Sequence, residues 1–226
     1  MTTLQTNDAA AREIIFVDSR VKDADTLLKG FPPGAQVVYL DAGKDGLAQM
    51  AAALGERGDV GAVHVLAHGS EGQLWLGTTF LYSGNLAGHG DALAAIGRGI
   101  TADGDLLVYA CNLAQGEVGA QFVSSLAALT GADVAASDDR TGAGGDWELE
   151  ITNGHVEAVS GVTADAAASY EHALATVTVT TGADSGAGSL RQAIASATAG
   201  DTITFSAVST VTLASGELII NKNLII

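Results

Sequence analysis

The sequence predicts an α/β fold: a parallel sheet with helices on both faces, followed by the start of a short β-solenoid. Three observations carry this. Short apolar runs of strand length recur along the first two thirds of the chain, each bounded by polar residues or glycine, as buried parallel strands require. Stretches with apolar residues at helical spacing alternate with them, and a β-α-β-α-β order demands right-handed parallel crossovers. From about Thr176 the composition turns rich in threonine and β-branched residues, with short apolar runs and no tight hairpin turns between them.

Glu13 to Ser19 opens the chain as a buried strand. Asp23 to Gly30 follows as a short helix, with Asp23 as its cap and Leu27 and Leu28 inward. Pro32-Pro33-Gly34 marks a turn into the second strand, Ala35 to Asp41. Asp45 to Gly58 carries Leu47, Met50, Ala51 and Leu54 on one helical face, and the third strand runs through Ala62-Val-His-Val-Leu-Ala-His-Gly-Ser70. Gln73 to Gly77 and Thr79 to Tyr82 read as an outlying hairpin, and a helix is expected from about Asn85 to Arg98. The fourth strand is Asp105-Leu-Leu-Val-Tyr-Ala-Cys-Asn112, and Gly116 to Thr130 is a helix with Val118, Phe122, Leu126 and Leu129 aligned. Ala132 to Ser137 makes a fifth strand. Gly145 to Ile151 and His155 to Ala158 are expected to pair across Asn153-Gly154, a hairpin signal.

The division expected is a tail over 1–12, a domain over 13–158, a linker over 159–175 and the opening of a solenoid over 176–226. The linker is alanine-rich with some helical propensity. Beyond it, Thr176 to Thr181, Ser189 to Ile194, Asp201 to Phe205, Thr210 to Leu213, Glu217 to Ile220 and Asn223 to Ile226 read as successive short β segments. Ending inside an apolar strand-like run implies a C-terminal continuation of a longer chain.

Composition narrows the function classes. Ten basic against 26 acidic residues leave a net charge of −16, which argues against nucleic acid as a partner because that affinity comes from phosphate neutralisation. The single cysteine allows no intrachain disulfide. No run is long enough for a membrane span, and Met1 to Ala9 has no basic segment leading into an apolar core. Secretion or surface display is expected, by a non-classical export route without an N-terminal signal peptide.

The chemistry sits at two strand ends. Ligands of open α/β sheets bind outside the carboxyl ends of the strands. Strands three and four end there on His68-Gly69 and on Cys111, which sets an imidazole beside a thiol at one rim. Cys111 is the candidate nucleophile and His68 the candidate base. The backbone N–H groups of Gly69 and Cys111 are the candidate oxyanion hole, a contribution of roughly a few kcal/mol. His64 reads as structural, and His89, His155 and His172 as solvated. No metal site is expected from one Cys and scattered His. No cofactor is expected, calcium at Asp41-Ala-Gly-Lys-Asp-Gly46 being the one candidate, and that stretch lacks the full ligand set.

On these motifs the stretch from about Glu13 to Ala158 resembles the caspase-like domain of unknown function at the N-terminus of very large bacterial surface proteins, in a clan with caspases, clostripain, gingipains and legumain. The matching features are the apolar strand before His68-Gly69, the apolar strand before Ala110-Cys111, and Ser137-Asp138-Asp139. Tyr109-Ala-Cys-Asn-Leu113 departs from the caspase consensus around the nucleophile, so the resemblance is to the wider clan. Gly188-Ser-Leu-Arg-Gln-Ala-Ile194 is similar to a motif of secreted β-helix repeats. The resemblance implies a cysteine endopeptidase, self-processing in one version, at the head of an exported adhesin-like protein, with a polypeptide or its own chain as substrate. It also implies that Asp138 or Asp139 lines the substrate pocket and selects Arg or Lys. Between Val159 and Thr181 the chain has no basic residue, so such an enzyme is expected to leave its linker uncut and to trim near Arg12. The alternative is a non-catalytic caspase-like module for display, folding or partner binding. An exposed Cys111 beside His68 favours the enzyme; a Cys111 sealed by apolar packing favours the module.

Overall fold

The computed structural model describes residues 12–55, 57–186, 188–197, 201–206 and 208–226; the expected N-terminal tail, Arg12 apart, lies outside them. In chain order, β1 (Glu13–Asp18), α1 (Ala24–Leu28), β2 (Gln36–Leu40), α2 (Gly46–Leu54) and β3 (Val60–Leu66) form the predicted parallel crossovers. A small antiparallel sheet of β4 (His68–Ser70), β5 (Gln73–Leu76) and β6 (Thr79–Tyr82) follows, so the predicted hairpin gains a third strand that begins at His68. Next come α3 (Gly90–Arg98), β7 (Ile100–Tyr109), α4 (Gly116–Thr130), β8 (Asp133–Ala136), β9 (Ile151–Asn153) and α5 (Ala164–Ser169). Beyond them lie β10 (Thr176–Val179), α6 (Leu190–Ser196) and β11 (Thr202–Phe205).

The central sheet has the order β2-β1-β3-β7-β8-β9, parallel except for β9 at one edge. Its residues alternate between two cores, as a period of two requires. Ile14, Phe16, Val63, Val65, Leu106, Val108 and Val134 face α2, α3 and α4. Ile15, Val17, Leu66, Leu107, Tyr109, Cys111 and Ala135 face α1, α5 and the chain around Trp147 and Tyr170. The fold is therefore α/β with a mixed, mostly parallel central sheet and helices on both faces. α4 stops at Gly131, whose φ of 77° lets its N–H reach back to the Ala127 carbonyl, a left-handed cap that a residue with a Cβ adopts at a cost.

Three local expectations change. Asp23 occupies the cap position of α1 but makes no side-chain cap bond there, because its backbone is left-handed at φ 48°. Among the described residues, Gly145–Ile151 and His155–Ala158 do not pair; β9 pairs antiparallel with β8 instead. The cause is Asp105, whose Oδ2 accepts the N–H groups of Glu157 (3.1 Å) and Ala158 (2.7 Å) and removes them from a hairpin ladder. In the C-terminal part, β10 pairs in parallel with β11, and a parallel bridge joins Thr202 to Ile225. Ser189 to Ile194 is not extended: Ser189 accepts the Gln192 N–H and caps α6. Among the described residues, Thr210–Leu213 and Glu217–Ile220 form no strand; the Thr212 N–H bonds the Gly182 carbonyl at 3.0 Å, but no ladder continues from it.

The stretch read as a linker is packed. Val162, Ala166, Tyr170, Ala173 and Leu174 are buried in the second core, and Trp147 and Tyr170 meet edge to face at 5.4 Å.

Candidate active site

The register of β3 against β7 pairs Leu66 with Tyr109, and Ala67 N–H continues the ladder to the Tyr109 carbonyl at 3.2 Å. Leu66–Tyr109 is the last register pair of β3 and β7; two residues further along each chain stand His68, which opens β4 of the small sheet, and Cys111, and among the described residues no hydrogen bond joins the two side chains. Strand β1 ends at the same rim on Asp18, a residue the sequence reading passed over. Its carboxylate is 0% exposed and accepts Arg20 Nε (2.8 Å), Arg20 Nη2 (2.8 Å) and Gly77 N–H (2.7 Å). Burial alone would push its pKa up, but those bonds outweigh burial and hold it below the ordinary carboxylate value. The signal was present in Phe-Val-Asp18: an apolar run ending on a polar residue, as at His68 and Cys111.

Cys111 ends β7 in a tight turn. Asn112 is left-handed at φ 57°, its N–H donates to the Asp139 carbonyl, and Leu113 N–H returns to the Ala110 carbonyl at 3.3 Å. Asparagine is among the side chains that enter this conformation most readily, which suits it to the tight turn after Cys111. The thiol is 1% exposed; Sγ accepts the Thr141 N–H (3.1 Å) and donates to the Thr141 carbonyl (3.2 Å). Burial pushes its pKa up to about 12, offset only in part by the Thr141 N–H, the Arg140 charge and the Leu174 N–H.

His68 is 4% exposed. Its Nε2 lies 3.3 Å from the Arg20 carbonyl and 3.5 Å from Thr202 Oγ1, while Nδ1 is buried without a hydrogen-bond partner among the described residues. Burial lowers its pKa below the usual histidine value; the Arg20 carbonyl, the Asp18 charge and the Ala175 carbonyl act in the opposite direction. The imidazole is therefore neutral at pH 7 and able to take a proton.

Gly69 N–H donates to the backbone carbonyl of Leu174 at 3.0 Å. A Cβ at Gly69 would stand 2.8 Å from Ala110 Cβ, 3.2 Å from the Gln73 carbonyl and 3.3 Å from the Cys111 carbonyl, so only glycine fits here without a shift. The close approach is to the floor of the site, where the sequence reading had placed it beside a substrate carbonyl. Cys111, the other oxyanion residue expected, starts the turn that leads from β7 into α4 and that is tied to the Asp139 carbonyl through Asn112.

Asp138 is half-buried, and its N–H donates to Glu150 Oε2 at 3.0 Å. Asp139 is exposed, its carboxylate grouped with those of Asp146 and Glu150. What this loop brings to Cys111 is backbone: the Asp139 carbonyl for Asn112 and both polar backbone atoms of Thr141 for Sγ. Among the other residues considered, His64 is buried between Tyr109 Oη (3.2 Å) and Glu13 Oε2 (3.5 Å), and His155 pairs with Glu157 at the surface. Asp45 caps α2 through the Ala48 N–H, and Asp41 pairs with Lys44 at 3.2 Å.

The site is covered by residues 172–175, a role that composition did not reveal. They lie between Gly69 on one side and Thr141 to Ala143 on the other, joined by a parallel bridge from Gly69 to Ala175 and an antiparallel bridge from Gly142 to Ala173. The Leu174 N–H donates to the Thr141 carbonyl at 3.0 Å, and the Ala143 N–H donates to the His172 carbonyl at 2.7 Å. The readable sign was the pair of bulky apolar residues, Tyr170 and Leu174, in a stretch otherwise poor in them.

The described residues contain no helix long and apolar enough to cross a membrane. No curated protein matches the chain. The sequence profile of a domain of unknown function, DUF4347, matches residues 14–174, most of the chain and all of the elements that build this rim. The chain belongs to the DUF4347 family.

Proposed function

We propose that this domain is a cysteine endopeptidase of the caspase-like type, with Cys111 as nucleophile, His68 as proton carrier and Gly69 N–H as an oxyanion donor. One observation carries the reading: Gly69 N–H already holds a backbone carbonyl at 3.0 Å, at the rim where His68 and Cys111 follow the neighbouring strands β3 and β7. Holding a peptide carbonyl between a thiol and an imidazole is the first requirement of acyl transfer. Thiol and imidazole are both neutral at pH 7, so the thiol proton passes to His68 as sulfur attacks, and His68 returns it to the leaving amine. The substrate class is polypeptide, the domain's own chain included. The parallel pairing of β10 with β11, together with the Thr202–Ile225 bridge, supports reading residues 176–226 as the first coils of a parallel solenoid in an exported, adhesin-like protein.

A specific observation favours the alternative of a non-catalytic module. Cys111 is 1% exposed, with its pKa pushed up to about 12, the state of an inert structural thiol. The two readings separate on what seals it. This thiol is closed over by an extended backbone segment bonded on both edges, as a peptide is bound by strand addition, and that supports the peptidase reading. The test is turnover of an unstructured polypeptide mixture by the purified chain and by Cys111→Ala, followed by mass spectrometry. Peptide release that needs Cys111 is expected; equal release from both proteins would leave the non-catalytic reading.

A further inference from the structure

We infer that the segment covering the dyad is the domain's own substrate, bound in register for cleavage of the Leu174–Ala175 bond. This deepens the peptidase reading and rests on it. Three independent features of the fold converge on that one bond.

The first is hydrogen bonding. A substrate must present a carbonyl to the oxyanion donor and hold its backbone straight on both sides of it. The Leu174 carbonyl is the one on Gly69 N–H, and the Leu174 N–H is anchored on the Thr141 carbonyl, the same oxygen that accepts the Cys111 thiol. Two residues upstream, the His172 carbonyl is held by the Ala143 N–H. The Leu174–Ala175 peptide unit thus lies beside Gly69, the residue next to His68, with its preceding N–H on the carbonyl that the Cys111 thiol also uses.

The second is side-chain fit. Leu174 is 0% exposed in the core that contains Tyr109, Cys111 and Trp147, and Ala173 is buried beside it. The residue before the cleaved bond is thus apolar and the one preceding it small. This differs from the basic residue expected from Asp138 and Asp139; the first is half-buried beside Glu150 and the second is exposed.

The third is the position of the bond in the architecture. The second core ends with Leu174 and Ala175, and the C-terminal core begins with Val177 and Val179. Strand β10 starts at Thr176, and the Ala175 carbonyl is already paired with the Thr202 N–H at 3.1 Å. Cutting at Leu174–Ala175 separates two packed units and takes from the second core only the partly buried Ala175. The docked C-terminal unit closes the site from its own side: Asp201 pairs with Arg140 at 3.0 Å, and Thr202 Oγ1 lies over His68.

The step balances as a hydrolysis. Sulfur of Cys111 bonds to the carbonyl carbon of Leu174, its proton moving to His68. The bond from that carbon to the Ala175 nitrogen breaks, and His68 delivers the proton to the departing amine. Water then attacks the thioester, giving a Leu174 carboxylate and restoring the thiol.

The test uses the full chain beside Cys111→Ala, incubated between pH 7 and 10 with an added unstructured polypeptide mixture, and read by intact mass and N-terminal sequencing. The expected result is a fragment beginning at Ala175 that Cys111→Ala does not yield. Leu174→Arg is expected to slow its appearance at least ~100-fold, and Leu174→Met, which keeps an apolar side chain of similar volume, to leave it within a few fold. Cys111-dependent cuts elsewhere, near Arg12 or only in the added mixture, would overturn this inference and leave the peptidase reading standing. No Cys111-dependent cut in either would overturn both. Faster cleavage of Leu174→Arg than of the natural chain would overturn the apolar selectivity.

Discussion

Replacing His68 with alanine is expected to slow Cys111-dependent peptide cleavage by roughly 10²–10⁴-fold while the domain still folds. The size follows from the state of the thiol. With its pKa near 12, Cys111 is ionised at pH 7 to only about one part in 10⁵, so attack depends on a base that takes the proton as the bond forms. The mild structural effect follows from how loosely the imidazole is held. Nε2 sits at 3.3 and 3.5 Å from its neighbours and Nδ1 has no hydrogen-bond partner among the described residues, so alanine forfeits packing rather than a strong network. Single-turnover rates and thermal unfolding of the same preparations separate the two effects. A variant that unfolds with the natural chain's midpoint yet cleaves at its rate would remove His68 from the mechanism.

Gly69→Ala is expected to act on both rate and stability. Its Cβ would overlap Ala110 Cβ at 2.8 Å and press on two carbonyl oxygens, which forces the strand away from the floor of the site. Overpacking of this kind costs about 1–3 kcal/mol. The same displacement draws the Gly69 N–H off the carbonyl it holds, and loss of one oxyanion donor costs about 10²–10³ in kcat. Denaturant titration and turnover of the variant measure the two losses. Ala110→Gly in the same chain removes the overlapping Cβ and is expected to recover part of the stability. A Gly69→Ala chain with full rate and full stability would contradict both the packing and the donor role.

The rim was legible from the sequence because strand ends are written in it: an apolar run needs only its last residue read to say what chemistry stands at the edge. That logic placed His68 and Cys111 on neighbouring strands, and applied to Phe16-Val-Asp18 it would also have found the buried partner of Arg20. The outlying hairpin and α4 were equally local, each set by its own periodicity and turn residues. What escaped was non-local. Asn153-Gly154 is a hairpin signal only if the next residues keep their N–H groups for the ladder, and Asp105, far away in sequence, takes two of them. The Ala-rich stretch before Thr176 looks like a spacer because alanine carries little pattern. Its place depends on backbone bonds from Leu174 and His172 to Thr141, Ala143 and Gly69, which involve no side-chain signature. In the C-terminal part, β propensity identified β10 and β11 but overcounted rungs, since a strand needs a neighbour as well as a suitable composition.

The alkylation rate of Cys111 tests the central claim that the dyad is closed over by its own bound peptide. Below its pKa a thiol gains about tenfold in thiolate per pH unit, and the reagent must also reach it. At pH 8 the native chain should be alkylated by iodoacetamide at least ~100-fold more slowly than the unfolded chain. Its rate should still be climbing above pH 9, where an exposed thiol levels off. Leu174→Asp, which places a charge in the apolar core and so releases the covering segment, should restore rapid labelling of Cys111 in a chain whose sheet remains folded by circular dichroism. Native labelling at the unfolded rate, or slow labelling unchanged by Leu174→Asp, would contradict the account.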